Sequence, residues 1–281
     1  MSAAIPVPPD LAATVARALA EDIGAGDLTA QLVPAAATAT ATVITREPCV
    51  VCGAPYFEAA MHQVDAATTV TWQVREGDAV AGQTKLCTVA GSARSLLTTE
   101  RTALNFLQLL AATATVTRRH VDAVAGTRAR VIDTRKTIPG LRLAQKYAVR
   151  VGGGGNHRIG LFDGVLIKEN HIMAAGGIAN ALSTARARVK PGTMIQIEVE
   201  TIAQLEEAIA AGGTLILLDN FTPERMAEAV RVSAGRVELE ASGGINLATI
   251  REYAQTGVDR ISIGTLTKDI EAIDLSMRFA L

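Results

Sequence analysis

Cysteine is scarce in this chain: its 281 residues include three, Cys49, Cys52 and Cys87. So few thiols at this length exclude a disulfide framework and suit a reduced, intracellular setting, so a cytoplasmic location is expected. Cys49-x-x-Cys52 has the spacing of a redox pair or half a zinc site, but no second pair or nearby His completes a ligand set, and buried strand residues are the plainer reading. Aromatics are only 3% of residues, too few for the stacking platforms of a single-strand nucleic-acid binder. No uninterrupted apolar run approaches the roughly 18 residues of a membrane span, and residues 1–9 lack the positive charge that opens a secretory signal. No nucleic-acid or membrane partner is expected.

What the chain has is charge gathered in one place. From Arg128 to His171 nine Lys or Arg stand against three Asp or Glu, while the whole chain carries 27 against 28, leaving 18 basic and 25 acidic residues elsewhere. A positive segment in a near-neutral protein predicts a site for a small, highly anionic ligand, because a nucleic-acid surface normally makes a whole domain basic. The length allows one barrel or two modest domains, each with a core that needs no staples.

After a Pro-rich start the chain predicts a helix over 11–21, capped by Asp10, with Leu11, Val15, Ala18 and Leu19 on one face. Residues 39–89 read as β structure interrupted by a helix over 56–64, and an unbroken helical stretch follows over 92–125. From Val131 the rhythm changes. Short apolar strands over 130–133, 164–168, 194–199, 215–219, 237–241 and 260–264 alternate with helical patterns over 141–149, 177–189, 202–211, 223–234 and 247–255. That alternation predicts β-α units and most of a parallel α/β barrel.

Polar residues fall where these strands end, the place where barrels collect their catalytic groups. Ser242-Gly243-Gly244 and Ile263-Gly264-Thr265 are turns on consecutive late strands whose backbone N–H groups suit a phosphate. Glu198 and Asp219 end neighbouring strands, and hard carboxylates there suit Mg²⁺, held directly or through water. Arg135, Lys136, His157, Arg158 and Lys168 bring five cationic or potentially cationic groups toward one pocket, and crowding them without an anion costs several kcal/mol. Arg grips carboxylate or phosphate with two parallel hydrogen bonds and Lys acts as a point charge, so the mixture suits a ligand bearing both groups. His157 is open to three roles: donating a proton, orienting a carboxylate, or satisfying a backbone carbonyl. His171 reads as structural.

With these residues in view, the chain resembles the quinolinate phosphoribosyltransferases, also called carboxylating nicotinate-nucleotide diphosphorylases. The motifs that carry the resemblance run through nearly the whole chain: Glu21-Asp22, Gly26-Asp27-Leu28-Thr29, Thr99-Glu100-Arg101-Thr102-Ala103-Leu104-Asn105, Asp133-Thr134-Arg135-Lys136-Thr137, Asn156-His157-Arg158, Lys168-Glu169-Asn170-His171, Leu218-Asp219-Asn220 and Gly257-Val258-Asp259. Val151 stands where many relatives have Cys, and Thr265 where Ala is frequent.

The resemblance implies an N-terminal α/β sandwich domain over 1–112 and an incomplete parallel α/β barrel of about seven strands over 113–268, one strand more than the pattern alone gives. A C-terminal segment, 269–281, would return to the first domain. It implies transfer of phosphoribose from phosphoribosyl diphosphate to quinolinate with loss of CO2, giving nicotinate mononucleotide and diphosphate in NAD biosynthesis, with Mg²⁺ as cofactor. It also implies a homodimer in which Arg101, otherwise a helix-surface residue, grips quinolinate in the partner's site. On that pattern Thr134, Arg135, Lys136, His157, Arg158 and Lys168 surround quinolinate and the diphosphate. Glu198 and Asp219 meet the ribose hydroxyls and metal, and Ser242, Gly243, Gly244, Ile263, Gly264 and Thr265 hold the 5-phosphate. Lys136, Lys168, Glu198 and Asp219 are the expected catalytic groups.

Two rivals stand beside this reading. Molybdenum-locus relatives share Asp-Thr-Arg-Lys and His-Arg but typically lack the lysine found here as Lys168. A carrier module is the other, because Arg75-Glu76-Gly77-Asp78-Ala79-Val80-Ala81-Gly82 resembles the turn of biotinyl and lipoyl folds; it needs a modified lysine at a hairpin tip, whereas Lys85 is expected within a strand.

Overall fold

The computed structural model describes residues 5–280, so the expectation for residues 1–9 lies partly outside the described residues. In chain order the elements are α1 (Leu11–Ile23), β1 (Thr38–Thr45), β2 (Cys49–Val50), α2 (Ala54–Val64), β3 (Thr69–Trp72), β4 (Ala79–Val80), β5 (Lys85–Ser92) and α3 (Ala93–Ala123). There follow β6 (Arg130–Ile132), α4 (Arg142–Val151), β7 (Gly164–Ile167), α5 (Glu169–Ala175), α6 (Ile178–Arg188), β8 (Met194–Val199), α7 (Ile202–Ala210) and β9 (Leu215–Asp219). The chain ends with α8 (Pro223–Ser233), β10 (Glu238–Ser242), α9 (Ile250–Gln255), β11 (Arg260–Ser262), α10 (Thr265–Lys268) and β12 (Leu275–Ala280).

The chain forms two compact units. The first takes in the chain up to Arg118, Thr137–Gly153 and the chain from Leu266; the second is Arg119–Lys136 with Gly154–Thr265. Compared with the expected division at 112/113, the second unit begins inside α3, and the stretch carrying α4 counts with the first. A close backbone approach explains that placement: a Cβ at Gly152 would lie 2.5 Å from the Ala114 carbonyl oxygen and 2.7 Å from the Thr117 Cβ of α3. Part of the glycine run is therefore there for packing.

In the first unit an antiparallel sheet has the order β12-β1-β5-β3. β1 alternates the more exposed Thr38, Thr40, Thr42 and Ile44 with buried Ala39, Ala41, Val43 and Thr45, the period of two that a half-buried strand requires. α3 buries Leu96, Ala103, Leu107, Leu110 and Ala114. Its buried threonines cost little because Thr99, Thr113, Thr115 and Thr117 return their hydroxyls to the carbonyl four residues back, at 2.7 to 3.1 Å. All three cysteines are free and buried. Burial pushes the Cys49 and Cys52 thiols up and that of Cys87 to about 12, the opposite of a reactive or metal-binding pair. The carrier-like turn is occupied structurally: Glu76 accepts the Gly53 and Ala54 N–H groups at the start of α2 and the Tyr147 hydroxyl, and Lys85 opens β5.

The second unit is built on a parallel sheet in the order β6-β11-β10-β9-β8-β7. Its first strand in sequence, β6, pairs with its last, β11, which is how a barrel closes. The seventh position is reduced to one parallel bridge between Ile132 and Gly155, where Ile132 Cγ2 would stand 3.1 Å from an added Cβ. These features make the incomplete barrel of about seven strands. α5 was not in the sequence pattern: its seven residues bury none of their side chains, so there is no apolar periodicity to read. Among the described residues no helix is long and apolar enough to cross a membrane.

Candidate active site

Of the expected site residues, Arg101 lies exposed on α3 in the first unit and all the others lie in the second. β6 runs into Asp133, which is fully buried; its carboxylate accepts the His157 backbone N–H at 2.8 Å and the Asn156 side-chain amide at 2.8 Å. A strand-end acid thus pins the segment carrying two of the cationic candidates. Thr134 Oγ1 accepts the Lys136 N–H at 3.0 Å and turns the chain so that Lys136 faces the next late loop, where a Cβ at Gly264 would touch Lys136 Cδ at 3.1 Å.

Arg158 donates through Nη1 to the Gly164 carbonyl at 3.0 Å. Burial first, and the charge of Arg135 second, hold its guanidinium below the usual arginine range, although it stays charged at any physiological pH. Arg135 is therefore near enough to Arg158 for its charge to be felt there. Lys168, at the entry to α5, reaches Glu198 Oε2 at 3.1 Å, while its backbone N–H is taken by His171 Nδ1 at 3.0 Å, which gives His171 its structural role. Asp219 Oδ2 accepts the Asn220 amide at 2.8 Å, and Asn220 donates its backbone N–H to the Ser242 carbonyl at 3.0 Å.

The charged segment divides more finely than its count suggests. Arg128 and Arg130 are ion-paired with Asp259 and Glu238, and Arg142, Lys146 and Arg150 lie on α4 in the first unit. The other four, Arg135, Lys136, Arg158 and Lys168, lie in the second unit at the expected site, Lys168 paired there with Glu198. Concavities of about 460 Å³ occur in the first unit, one lined by Arg17, Glu21, Asp22 and Thr102. Beside Glu198, with Glu169 and Glu200, the hollow is only about 90 Å³. The strand-end chemistry, not cavity size, marks the site.

Two glycine turns border it. Gly243 has φ +106°, and a Cβ there would stand 2.2 Å from Asn220 Oδ1 and 3.0 Å from its backbone nitrogen. Only glycine fits that corner. The turn does not lead straight into a helix, as the expected span 247–255 implied. Asn246 accepts the Ala248 and Thr249 N–H groups in a local turn first, and α9 begins at Ile250. We expect Gly243→Ala to lose ~1–3 kcal/mol in urea unfolding through backbone strain alone. Gly264→Ala, whose Cβ meets only the flexible Lys136 chain and Thr134 Oγ1, should unfold within ~1 kcal/mol of wild type. Equal losses would contradict this account of the corner.

Sequence reasoning missed Gln196 and Glu240, both fully buried in the second unit. Gln196 Nε2 donates to Glu240 Oε2 at 2.8 Å, and Gln196 Oε1 lies 2.7 Å from His157 Nε2. The available signal was period two: Gln196 with Glu198 on β8, and Glu240 with Ser242 on β10, place polar groups on one strand face in buried strands that otherwise read as apolar.

Residues 27–111 match the family description "Quinolinate phosphoribosyl transferase, N-terminal domain", and residues 113–278 match its "C-terminal domain". The chain belongs to this family. It is 43% identical over 271 residues to the nicotinate-nucleotide pyrophosphorylase [carboxylating] of Mycobacterium leprae, covering 94% of this chain and 95% of that one. It is 37% identical over 289 residues to quinolinate phosphoribosyltransferase [decarboxylating] 1b of Nicotiana tabacum, covering 96% and 82%. The solved nicotinate-nucleotide pyrophosphorylase of Francisella tularensis superposes with a TM-score of 0.95 at 46% identity, covering 98% of both chains.

Proposed function

We propose that this chain transfers phosphoribose from phosphoribosyl diphosphate to quinolinate and releases CO2 and diphosphate, forming nicotinate mononucleotide for NAD biosynthesis. The observation that carries the reading is that the strand ends and loops of one unit present Arg135, Lys136, Arg158 and Lys168, with the Asn156-His157-Arg158 segment pinned by Asp133 at the end of β6 and Lys168 Nζ 3.1 Å from Glu198. Like charges held together are stabilised by a polyanion, and both reactants are polyanions. The pyridine nitrogen of quinolinate attacks C1 of the sugar as the C1–O bond to diphosphate breaks. Arg135, Lys136, Arg158 and Lys168 meet the carboxylates and the charge growing on the leaving group. Holding two mutually repelling anions in line supplies much of the remaining acceleration. When the C2 carboxylate then departs as CO2, the electron pair of the broken C–C bond stays on C2, stabilised by the adjacent positively charged pyridinium nitrogen, and a proton bonds to it. No covalent nucleophile is needed. Thr134, Ser242, Gly243, Gly244, Ile263, Gly264 and Thr265 hold the phosphate groups around that line.

Glu198 and Asp219 fit Mg²⁺ as a donor set, two hard carboxylates on adjacent strands, with Glu198 sharing its charge with Lys168. Bound there directly or through water, Mg²⁺ supplies charge neutralisation for the diphosphate. Arg101 completes the site from a partner chain in a homodimer. Leu28 and Leu32 in the first unit and Leu161, Phe162 and Met173 in the second are 70% exposed or more, apolar side chains that an assembly could cover. The buried free thiols suit a cytoplasmic enzyme.

Purified protein with quinolinate, phosphoribosyl diphosphate and Mg²⁺ is expected to yield nicotinate mononucleotide, followed by chromatography. Nicotinate lacks the C2 carboxylate and leaves cationic groups unpaired, so its kcat/KM should fall by at least ~10²-fold. Equal turnover of the two acids would overturn the specificity.

A further inference from the structure

We propose that Gln196 and Glu240 are positioning residues that lock His157 as the Nε2–H tautomer with both ring nitrogens engaged, so that His157 sets the place of Arg158 and exchanges no proton with the substrates. The inference rests on the proposed transferase reading for its kinetic consequence, but its structural half stands alone. It begins with a group whose direction cannot be reversed. The Arg158 backbone N–H can only donate, and it lies 2.7 Å from His157 Nδ1. Nδ1 must therefore offer a lone pair, and a ring with an unprotonated Nδ1 carries its proton on Nε2. Nε2 then donates across 2.7 Å to Gln196, which turns the Gln196 oxygen toward the ring and its NH2 toward Glu240. Glu240 accepts. The reverse chain, Glu240 donating to Gln196 and Gln196 to Nε2, would require both ring nitrogens to accept, which a neutral imidazole cannot do.

Burial explains why this order persists. Gln196 and Glu240 are both fully shielded, so a flipped Gln196 amide would set like dipoles face to face at both ends without water to relieve them, at a cost of about 1–3 kcal/mol for each unmade bond. Among the described residues, the other oxygen of the Glu240 carboxyl, Oε1, is buried without a partner. The carboxyl's one hydrogen bond among those residues is the one to Gln196, an expensive arrangement for a group that served only to fill space. The strands place the chain: β8 and β10 alternate around the barrel with β9 between them, and alternate strands fill one interior layer. The far end of the chain is the Arg158 main chain, adjacent to the guanidinium that reaches Gly164. With Asp133 holding the His157 N–H at 2.8 Å, the Asn156-His157-Arg158 segment is fixed from two sides.

The test uses the full chain labelled with ¹⁵N-histidine, with the His157→Asn variant assigning its signals among those of the four histidines. Long-range proton–nitrogen NMR should show His157 with a protonated Nε2 and an unprotonated Nδ1. Glu240→Leu removes the anchor of the Gln196 amide; the ring signals should move toward a tautomer average and KM for quinolinate should rise about ten-fold, equivalent to ~1.4 kcal/mol, with a smaller change in kcat. Glu240→Gln keeps an accepting oxygen and should restore the tautomer signature, which separates positioning from simple loss of packing. A wild-type ring protonated at Nδ1, or a Glu240→Leu ring identical to wild type, overturns the proposal. If the wild-type protein fails to turn over quinolinate, the transferase reading falls while the ring measurement still decides the relay.

Discussion

A mixture of Arg101→Ala and Lys136→Ala chains is expected to regain activity that neither variant has alone. Arg101 stands exposed on α3, in a different unit from the cluster that contains Lys136. If the proposed homodimer carries Arg101 into the partner's site, each single variant has two damaged sites, and loss of one charge-stabilising contact lowers kcat by about 10²–10³-fold. A mixed dimer differs. One of its two sites lacks both side chains and the other lacks neither, so random exchange of subunits restores about a quarter of wild-type activity. Steady-state turnover after co-refolding or co-expression measures it. Activity that stays at the single-variant level would show that Arg101 serves its own chain or none. The same experiment with Lys136→Ala and Lys168→Ala is the control, because both belong to the second unit and a mixture leaves every site damaged.

What the sequence made legible depended on how each physical constraint is written along the chain. Strands of the second unit declared themselves because short apolar runs separated by helical periodicity have few other solutions, and β8 and β9 occupy the spans read from the pattern. Strand-end polarity singled out Arg135, Lys168, Glu198 and Asp219 because a barrel leaves its catalytic groups at one end. The seventh position stayed hidden because a single bridge at Gly155 has no hydrophobic pattern. β12 stayed hidden for another reason: its partner is β1, more than two hundred residues earlier, and pairing over that separation leaves no local trace. Charge counting overreached. Nine basic residues look like one cluster, yet Arg128 and Arg130 are paired with Asp259 and Glu238, more than a hundred residues away in sequence, which no count within a window can see. Gln196 is hard to read for the converse reason: its period-two placement with Glu198 carries meaning only once the strand is known to be buried on both faces.

Asp133→Ala should be among the most damaging substitutions outside the groups that contact substrate. The Asp133 side chain is fully buried, and it accepts the His157 N–H and the Asn156 amide, while its own N–H goes to the Gly155 carbonyl at 3.1 Å. Alanine keeps the last of these bonds and removes the other two. Each donor left without a partner costs about 1–3 kcal/mol, a large share of the ~5–15 kcal/mol that a folded protein has in total. The functional loss should exceed the loss of stability. The released segment carries His157 and Arg158, and a shift of about 1 Å in a substrate-positioning group can cost ~10²-fold in rate. Asp133→Asn separates the two effects. Its oxygen can keep the backbone N–H of His157, and Asn156 can rotate its amide to accept from the new NH2, so both bonds can be remade without charge. Urea unfolding and kcat/KM should therefore rank wild type above Asp133→Asn and Asp133→Asn well above Asp133→Ala. An Asp133→Ala chain that unfolds with the wild type and turns over normally would mean that the Asn156-His157-Arg158 segment holds its shape without the acid at the end of β6.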